Sequence, residues 1–246
     1  RTPSRGESDF QVGLFAFQPS PFTPVYLSTV SGSQELETET VLTYEVGYRC
    51  KPSDRLFFDV TAFANRYDHL STQEPAAPQN MGSYWLLPST FANNLEGETY
   101  GLELATTWQP LEWWQWRAAY THLQIQLHTK PTSTDTVSEK NEEEGSPQNQ
   151  LSLRSMMTLS HNLELDAWLR YVDSVPQPSG YASSLGVSVA SYVTLDLRLG
   201  WRPSKNLELA LVGKNLLDSN HLEYVAEDSV PSELERSVYA KATWTF

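Results

Sequence analysis

The chain has 246 residues, a formal net charge of −13 and a single cysteine, Cys50. The acidic charge argues against a nucleic-acid-binding protein, and one cysteine excludes a disulfide framework. No run of 18 apolar residues occurs, which excludes a membrane-spanning helix. The negative mean hydropathy, −0.44, fits a soluble protein and also a membrane β-barrel, whose strands turn only every second residue towards lipid.

Period-two alternation of apolar and polar residues runs through most of the chain and predicts about nine strands. Leu195, Leu197 and Leu199, for example, alternate with Asp196 and Arg198. No helix of useful length is predicted. The predicted strands cover residues 42–50, 56–65, about 83–108, 114–127, 150–159, 163–171, 193–201, 207–214 and 238–246.

The connections between the later strands alternate strictly between short and long. Short turns are predicted at 51–54, 109–112, 160–162 and 202–206, and long loops at about 68–82, 128–147, 173–190 and 216–235. In an up-and-down sheet this places every short turn at one end and every long loop at the other. Outer-membrane barrels have this asymmetry, although hairpins of mixed length occur by chance in any β protein.

The polar sides of the predicted strands carry seven acidic and seven basic residues, so the strands are almost neutral and the net negative charge lies in the termini and connections. A balanced set suits a barrel interior where opposite charges pair across strands, and it equally suits a solvated surface. These residues are Glu45, Arg49, Asp59, Glu103, Arg117, Arg154, Glu164, Asp166, Arg170, Asp196, Arg198, Glu208, Lys214 and Lys241.

Aromatic residues collect beside the short turns and at the terminus. They predict a girdle at one membrane interface, and the alternative is that they cap a soluble core. The residues are Tyr48, Trp108, Trp114, Trp116, Trp201, Trp244 and Phe246.

No catalytic motif occurs, so no enzyme, cofactor or catalytic residue is predicted. The five histidines are scattered without zinc-ligand spacing. The acidic loop 129–148, with Glu142, Glu143 and Glu144 in a row, lacks the spacing of an EF-hand, so we expect no metal site. The candidate ligand contacts are aromatic residues in or near the predicted long-loop end, namely Phe22, Tyr26, Tyr84 and Trp85.

Five stretches, in order, resemble the C-terminal half of the barrel of TonB-dependent outer-membrane receptors, and the siderophore receptors in particular. "RTPSRGE" looks like the end of a mid-barrel strand, and "LTYEVGYR" with "KPSDRLFFDVTAFANRYDHL" looks like a strand, a periplasmic turn and the next strand. "GETYGLELATTWQP" resembles the strand bearing G-x-E, and "LVGKNLLDSNHLEY" resembles the motif before the last extracellular loop. "RSVYAKATWTF" resembles the terminal strand with its final Phe.

The resemblance implies an all-β fold, an antiparallel up-and-down transmembrane β-barrel of which residues 1–246 supply about nine of 22 strands. The chain begins without Met or a signal peptide, so we expect a fragment or processed product that lacks the plug domain and the earlier strands. In this family Trp244 and Phe246 would form the signal read by the barrel-assembly machinery.

The resemblance further implies the outer membrane of a Gram-negative bacterium, uptake of an iron–siderophore or similar metal chelate, a lipid bilayer around the barrel, and a TonB energy-coupling partner that acts through the missing N-terminal part. Two alternatives stay open at this point. One is a passive outer-membrane channel, and the other is a soluble all-β ligand-binding protein.

Overall fold

Strands dominate the computed structural model, which describes residues 1–159, 162–176, 187–225 and 232–246. No helix in these ranges is long and apolar enough to cross a membrane. The two helices are α1 (Arg5–Asp9) and α2 (Ser138–Glu143). The strands are β1 (Gln11–Phe17), β2 (Val25–Ser31), β3 (Thr40–Ser53), β4 (Leu56–Pro75), β5 (Gln79–Asn80), β6 (Tyr84–Leu111), β7 (Trp114–Thr129), β8 (Asn149–Leu159), β9 (Leu163–Val172), β10 (Tyr192–Ser204), β11 (Leu207–Lys214), β12 (Asn220–His221), β13 (Leu234–Glu235) and β14 (Ser237–Trp244).

The chain forms two compact units. Unit 1 consists of Arg1–Thr43, Asn65–Thr99 and Ile125–Glu143. Unit 2 consists of Tyr44–Ala64, Tyr100–Gln124 and Glu144–Phe246.

All nine predicted strands are present, and in unit 2 they follow one another as neighbours in the order β3, β4, β6, β7, β8, β9, β10, β11 and β14. The pairings from β7 to β14 are antiparallel. The prediction of an all-β, up-and-down antiparallel sheet is therefore confirmed. Of the predicted short turn 160–162, Ser160 and His161 lie outside the described residues, as do 177–186 and 226–231 of the last two long loops.

In unit 2 the apolar side chains of the strands are more exposed than the polar ones, which is the reverse of the pattern in a soluble domain. On β10, the apolar side chains Leu199 and Trp201 are 47% and 46% exposed, whereas Thr194 on the polar face is 1% exposed. Among the described residues of unit 2, only two hydrophobic residues, Val189 and Val225, are buried. The leucine-bearing face is thus the open one, as expected for strands whose apolar side contacts lipid.

Opposite charges pair across strands on the polar face, as the balanced charges predict. The Arg198 guanidinium lies 2.8 Å from Glu164, 3.3 Å from Asp166 and 2.6 Å from Glu208. Arg202 bridges the same two glutamates, Glu164 at 2.9 Å and Glu208 at 3.3 Å. Arg198 passes over Gly200, where an added Cβ would lie 2.8 Å from the guanidinium. Glycine therefore leaves room for the network.

The last two long connections of unit 2 pack together within their described residues. Val189 and Val225 form a small buried core. Tyr192 stacks on His221 with a centroid distance of 4.3 Å. These connections are therefore partly folded against each other.

Unit 1 contains elements that periodicity does not predict. The strands β1 and β2 form an antiparallel hairpin, and β2 then pairs with β6 in parallel, from Val25 opposite Tyr84 to Ser31 opposite Thr90. The predicted loop 68–82 is largely wrong, because β4 continues to Pro75 and β5 pairs with β6.

The expectation that "RTPSRGE" ends a strand is also wrong, because these residues open a helix. Ser4 is the N-cap of α1, and Ser4 and Glu7 form a capping box. The hydrogen bond from the Ser4 backbone lowers the pKa of Glu7 to about 2. Arg1 joins Glu7 to Glu39 at 2.7 and 3.0 Å, so the segment is tied to the connection before β3.

The aromatic residues near the short turns are exposed, except for two. Trp114 and Trp116 are half-buried against each other, with centroids 5.3 Å apart. At the terminus, β14 pairs with β11 so that Trp244 lies opposite Leu207. The exposed members of the predicted girdle are Tyr48, Trp108, Trp201, Trp244 and Phe246.

Candidate functional site

Two of the four predicted ligand-contact residues lie in one row across neighbouring strands of unit 1. Phe17 on β1 is opposite Tyr26 on β2, and Tyr26 is opposite Trp85 on β6. The rings of Phe17 and Tyr26 stack with centroids 5.4 Å apart and an interplanar angle of 21°. Since directly opposed residues share a face of the sheet, we call Phe17, Tyr26 and Trp85 the aromatic row.

The other two predicted residues do not join this row. Tyr84 precedes Trp85, so its side chain points to the other face of the sheet, opposite Val25. Phe22 lies in the turn between β1 and β2 and is 97% exposed. The structure therefore places Tyr26 and Trp85 in the aromatic row, Tyr84 on the opposite face of the sheet and Phe22 at the tip of the β1–β2 hairpin.

A cleft of about 480 Å³ lies in unit 1 among the end of β4, the first half of β6 and the loops beside them. It is polar and mainly acidic. Its ionisable lining residues are Glu35, Glu37, Glu74, His69 and Lys130. His69 Nε2 lies 3.1 Å from Glu37, and Lys130 Nζ lies 3.0 Å from Asp68 just outside the lining. Trp85 of the aromatic row and Thr90 of the cleft lining both lie on β6. Along the strand they are about 17 Å apart.

Glu74 holds one wall of the cleft in place. Strand β4 has 20 residues, about twice what a tilted strand needs to cross a bilayer, so Glu74 near its end lies beyond the spanning part. Burial raises the pKa of Glu74, but hydrogen bonds outweigh burial and lower it to about 2. The donors are Asn94 Nδ2 at 3.0 Å, Thr72 Oγ1 at 2.8 Å, Ser133 Oγ at 2.8 Å, and the backbone N–H groups of Thr134 at 2.6 Å and Asp135 at 3.1 Å.

Asp135, in the loop after β7, makes a second contact with the end of β4. Its carboxylate accepts the Gln73 backbone N–H at 2.8 Å and those of Val137 and Ser138 at 2.9 and 3.0 Å. Burial raises the pKa of Asp135, yet hydrogen bonds, first that of the Ser138 hydroxyl, lower it overall. Two carboxylates on different segments therefore fasten the loop after β7 to the end of β4.

The acidic loop 129–148 uses its carboxylates in the same way. Glu143 accepts the Leu127 backbone N–H at 2.7 Å, and Glu139 accepts that of Thr129 at 3.0 Å. Within the described ranges, no group of three or more His, Cys, Asp or Glu side chains is placed to hold a metal ion.

Sequence reasoning missed Glu74, Asp135, His69 and Lys130. Glu74 and Asp135 are some 60 residues apart in polar segments, where neither spacing nor alternation links them. The only sequence signal near Glu74 and near Asp135 is a run of polar residues typical of loops.

A family model described as "TonB dependent receptor-like, beta-barrel" matches residues 1–216. A search of curated proteins gave no match. Similar solved structures include three receptors. The ferric-catecholate import receptor Fiu of E. coli K12 is 18% identical, with a TM-score of 0.63 over 85% of this chain and 28% of Fiu.

The siderophore receptor PirA of Acinetobacter baumannii is 15% identical, with a TM-score of 0.63 over 89% of this chain and 34% of PirA. The pyoverdine outer membrane receptor FpvA of Pseudomonas aeruginosa PAO1, solved with pyoverdine bound, is 19% identical, with a TM-score of 0.62 over 86% and 30%. The chain thus spans about a third of the length of these structures, and at such identity the likeness establishes the fold, a partial β-barrel.

Proposed function

We propose a transport function from one premise: the chain belongs to the TonB-dependent receptor-like β-barrel family. Residues 1–246 form the C-terminal part of the barrel of an outer-membrane receptor that takes up an iron–siderophore complex or a similar metal chelate. The match over residues 1–216 carries the proposal, and siderophore receptors among the similar structures support it. Its partners are the chelate, the lipid bilayer, a TonB-type energy-coupling protein and the assembly machinery that reads Trp244 and Phe246, and its place is the outer membrane of a Gram-negative bacterium.

The orientation of the strands can be tested with spin labels at Leu197 and Arg198, one on each face of β10. In the full-length receptor in lipid vesicles, the label at 197 is expected to respond to oxygen dissolved in lipid. The label at 198 is expected to respond to an aqueous relaxation agent. The opposite pattern at both positions would contradict the membrane assignment and favour a soluble protein.

We further propose that the aromatic row supplies contact area for the chelate. Replacing Tyr26 or Trp85 with alanine is expected to weaken chelate binding about tenfold, since a buried aromatic contact is worth about 1–2 kcal/mol. The measurement is chelate-dependent growth and binding by the full-length receptor. Tyr48→Ala, an exposed aromatic change beside a short turn, is the matched control, and an equal effect in all three variants would contradict a specific contact.

The charge of the acidic cleft narrows the substrate class. Glu35, Glu37 and Glu74 outweigh Lys130, so a chelate with three negative charges would be repelled, whereas a neutral or cationic one would not. In the same uptake assay, a neutral ferric tris-hydroxamate is expected to be preferred over a trianionic ferric tris-catecholate. Preference for the trianion would contradict the proposed substrate class but would leave the proposed uptake function unchanged.

A further inference from the structure

One wall of the acidic cleft is the connection between β2 and β3, residues 32–39, which we call the strap. Ser33, Glu35 and Glu37 of the strap all line the cleft. The strap is neither helix nor strand, so its position depends on contacts with the neighbouring segments of unit 1. Those contacts therefore decide where its carboxylates lie.

Both ends of the strap are hydrogen-bonded to the first ten residues of the chain. At the start of the strap, the backbone N–H of Gly32 donates to the Phe10 carbonyl oxygen at 2.8 Å. At its end, the backbone N–H of Glu39 donates to the Arg1 carbonyl oxygen at 2.9 Å. The middle of the strap, which carries Glu37, lies between these two anchors and is held by a different contact.

Asn93 on β6 holds the middle of the strap. The backbone N–H of Glu37 donates to Asn93 Oδ1 at 2.7 Å, and Asn93 Nδ2 donates to the Glu37 carbonyl oxygen at 3.4 Å. Asn93 Nδ2 also donates to the carbonyl oxygen of His69 on β4 at 2.5 Å. An amide side chain has both donors and an acceptor, and Asn93 uses both kinds to join the strap to β4 and β6.

His69 completes this contact from β4. Its backbone is left-handed, with φ at 61°, which is uncommon for a residue other than glycine. Such residues persist where the surrounding structure fixes them, and they cluster at ligand clamps. The His69 Nε2 lies 3.1 Å from the Glu37 carboxylate, but the Glu37 side chain is 67% exposed. An exposed pair contributes little, so the hydrogen bonds of Asn93 are the principal contact.

We infer that Asn93 is a positioning residue for charge selection: by holding the strap, it keeps the carboxylates of Glu35 and Glu37 at the cleft. There they repel an anionic chelate, and this repulsion falls as their distance from the chelate grows. Without Asn93 the middle of the strap is free to leave the cleft, so selectivity is lost and uptake is not. This inference rests on the proposed function, because it names the residue that maintains the charge preference of the acidic cleft.

The first measurement follows the strap itself and needs no chelate. Hydrogen exchange at the Glu37 amide, whose N–H donates to Asn93, is measured by mass spectrometry on the full-length receptor. Asn93→Ala is expected to speed this exchange at least about fivefold, the effect of one lost hydrogen bond. Asn65→Ala is the matched control, because Asn65 Nδ2 donates to Thr99 Oγ1 at 3.0 Å and Asn65 does not line the cleft. The control is expected to leave Glu37 exchange unchanged.

The second measurement is the ratio of affinities for a neutral ferric tris-hydroxamate and a trianionic ferric tris-catecholate. Asn93→Ala is expected to lower this ratio about threefold or more, mainly by strengthening binding of the trianion. Glu37→Gln keeps the backbone hydrogen bonds and is expected to lower it about threefold, which also covers a failure of Asn93→Ala to fold. When Glu35→Gln and Glu37→Gln are combined, adding Asn93→Ala is expected to change the ratio no further. A merely structural role of Asn93 would not depend on these two charges.

The outcomes separate this inference from the proposed function. Unchanged exchange at Glu37 in Asn93→Ala would overturn the inference, as would a ratio that both Asn93→Ala and Glu37→Gln leave unchanged. In either case uptake of the neutral chelate by the wild type would still support the proposed function. A wild type that binds neither chelate would contradict the proposed function and, with it, the role of Asn93.

Discussion

Replacing Gly97 with alanine is expected to destabilise unit 1 by about 3 kcal/mol. A Cβ at this position would lie 2.2 Å from the Gln126 carbonyl oxygen and 2.7 Å from Leu127 Cα, both backbone atoms of β7. Ordinary contacts begin near 3.4 Å, so β6 and β7 would have to separate. Overpacking costs about 1–3 kcal/mol, and each strained cross-strand hydrogen bond adds about 1 kcal/mol. Leu95 and Leu127, buried beside this point, would lose their packing as well.

The measurement is urea unfolding of the full-length receptor from lipid vesicles, with Gly47→Ala as the matched control. Gly47 also lies within a strand, but its added Cβ would meet Thr61 Oγ1 at 3.5 Å, an ordinary contact. The control is expected to change the free energy of unfolding by less than about 1 kcal/mol. If the two variants unfold alike, the close approach at Gly97 does not constrain the strand pair.

The strands of unit 2 could be predicted because both faces of each strand carry a clear signal. Leu195, Leu197 and Leu199 alternate with charged residues, and a slip of one residue would exchange the two faces. The same rule explains the correct placement of β14, where Ala240 and Ala242 align with the leucines of β11. Alternation alone does not show which face of the sheet is exposed. The exposed fractions of the side chains in the structure show it.

Unit 1 was less predictable because its strands lack this pattern. The segment "QVGLFAF" of β1 is apolar on both faces, and the end of β4, "LSTQEP", is polar on both. The parallel pairing of β2 with β6 joins residues some 60 positions apart, and no local preference encodes it. Tyr26 was therefore outside every predicted strand and Trp85 was placed near the start of one, whereas the structure pairs the two residues across neighbouring strands.

Replacing Glu74 with glutamine is expected to release the loop after β7 from the end of β4. The carboxylate accepts hydrogen bonds from five residues, whereas a glutamine side chain has one acceptor oxygen and turns an NH₂ group towards the remaining donors. Leaving two or more donors unpaired costs about 2–4 kcal/mol. We expect the backbone amides of Thr134 and Asp135 to exchange hydrogen at least tenfold faster, measured by mass spectrometry on the full-length receptor.

The same contact gives the loop a defined pH dependence. The folded pKa of Glu74, about 2, is below its unfolded value near 4.5. A group whose pKa is depressed by folding stabilises the folded state fully above its unfolded pKa and loses that contribution as the pH falls. Protection of the Thr134 amide, corrected for intrinsic exchange, is therefore expected to be constant above about pH 5 and to fall between about pH 4.5 and 2.

Glu35→Gln is the control variant that distinguishes the loss of the Glu74 hydrogen bonds from the loss of one negative charge in the cleft. Glu35 lines the same cleft but is exposed, so its replacement removes one negative charge without removing a hydrogen-bonded anchor. Exchange at Thr134 and Asp135 is expected to stay as in the wild type for Glu35→Gln, and to lose most of its acid-dependent step in Glu74→Gln, the remainder coming from Asp135, whose pKa is also lowered. If Glu74→Gln kept both the protection and the acid-dependent step, the loop would be held by Asp135 and its partners alone. Since Asp135 accepts amides on both segments, the Glu74→Gln result decides which of the two carboxylates is the principal anchor.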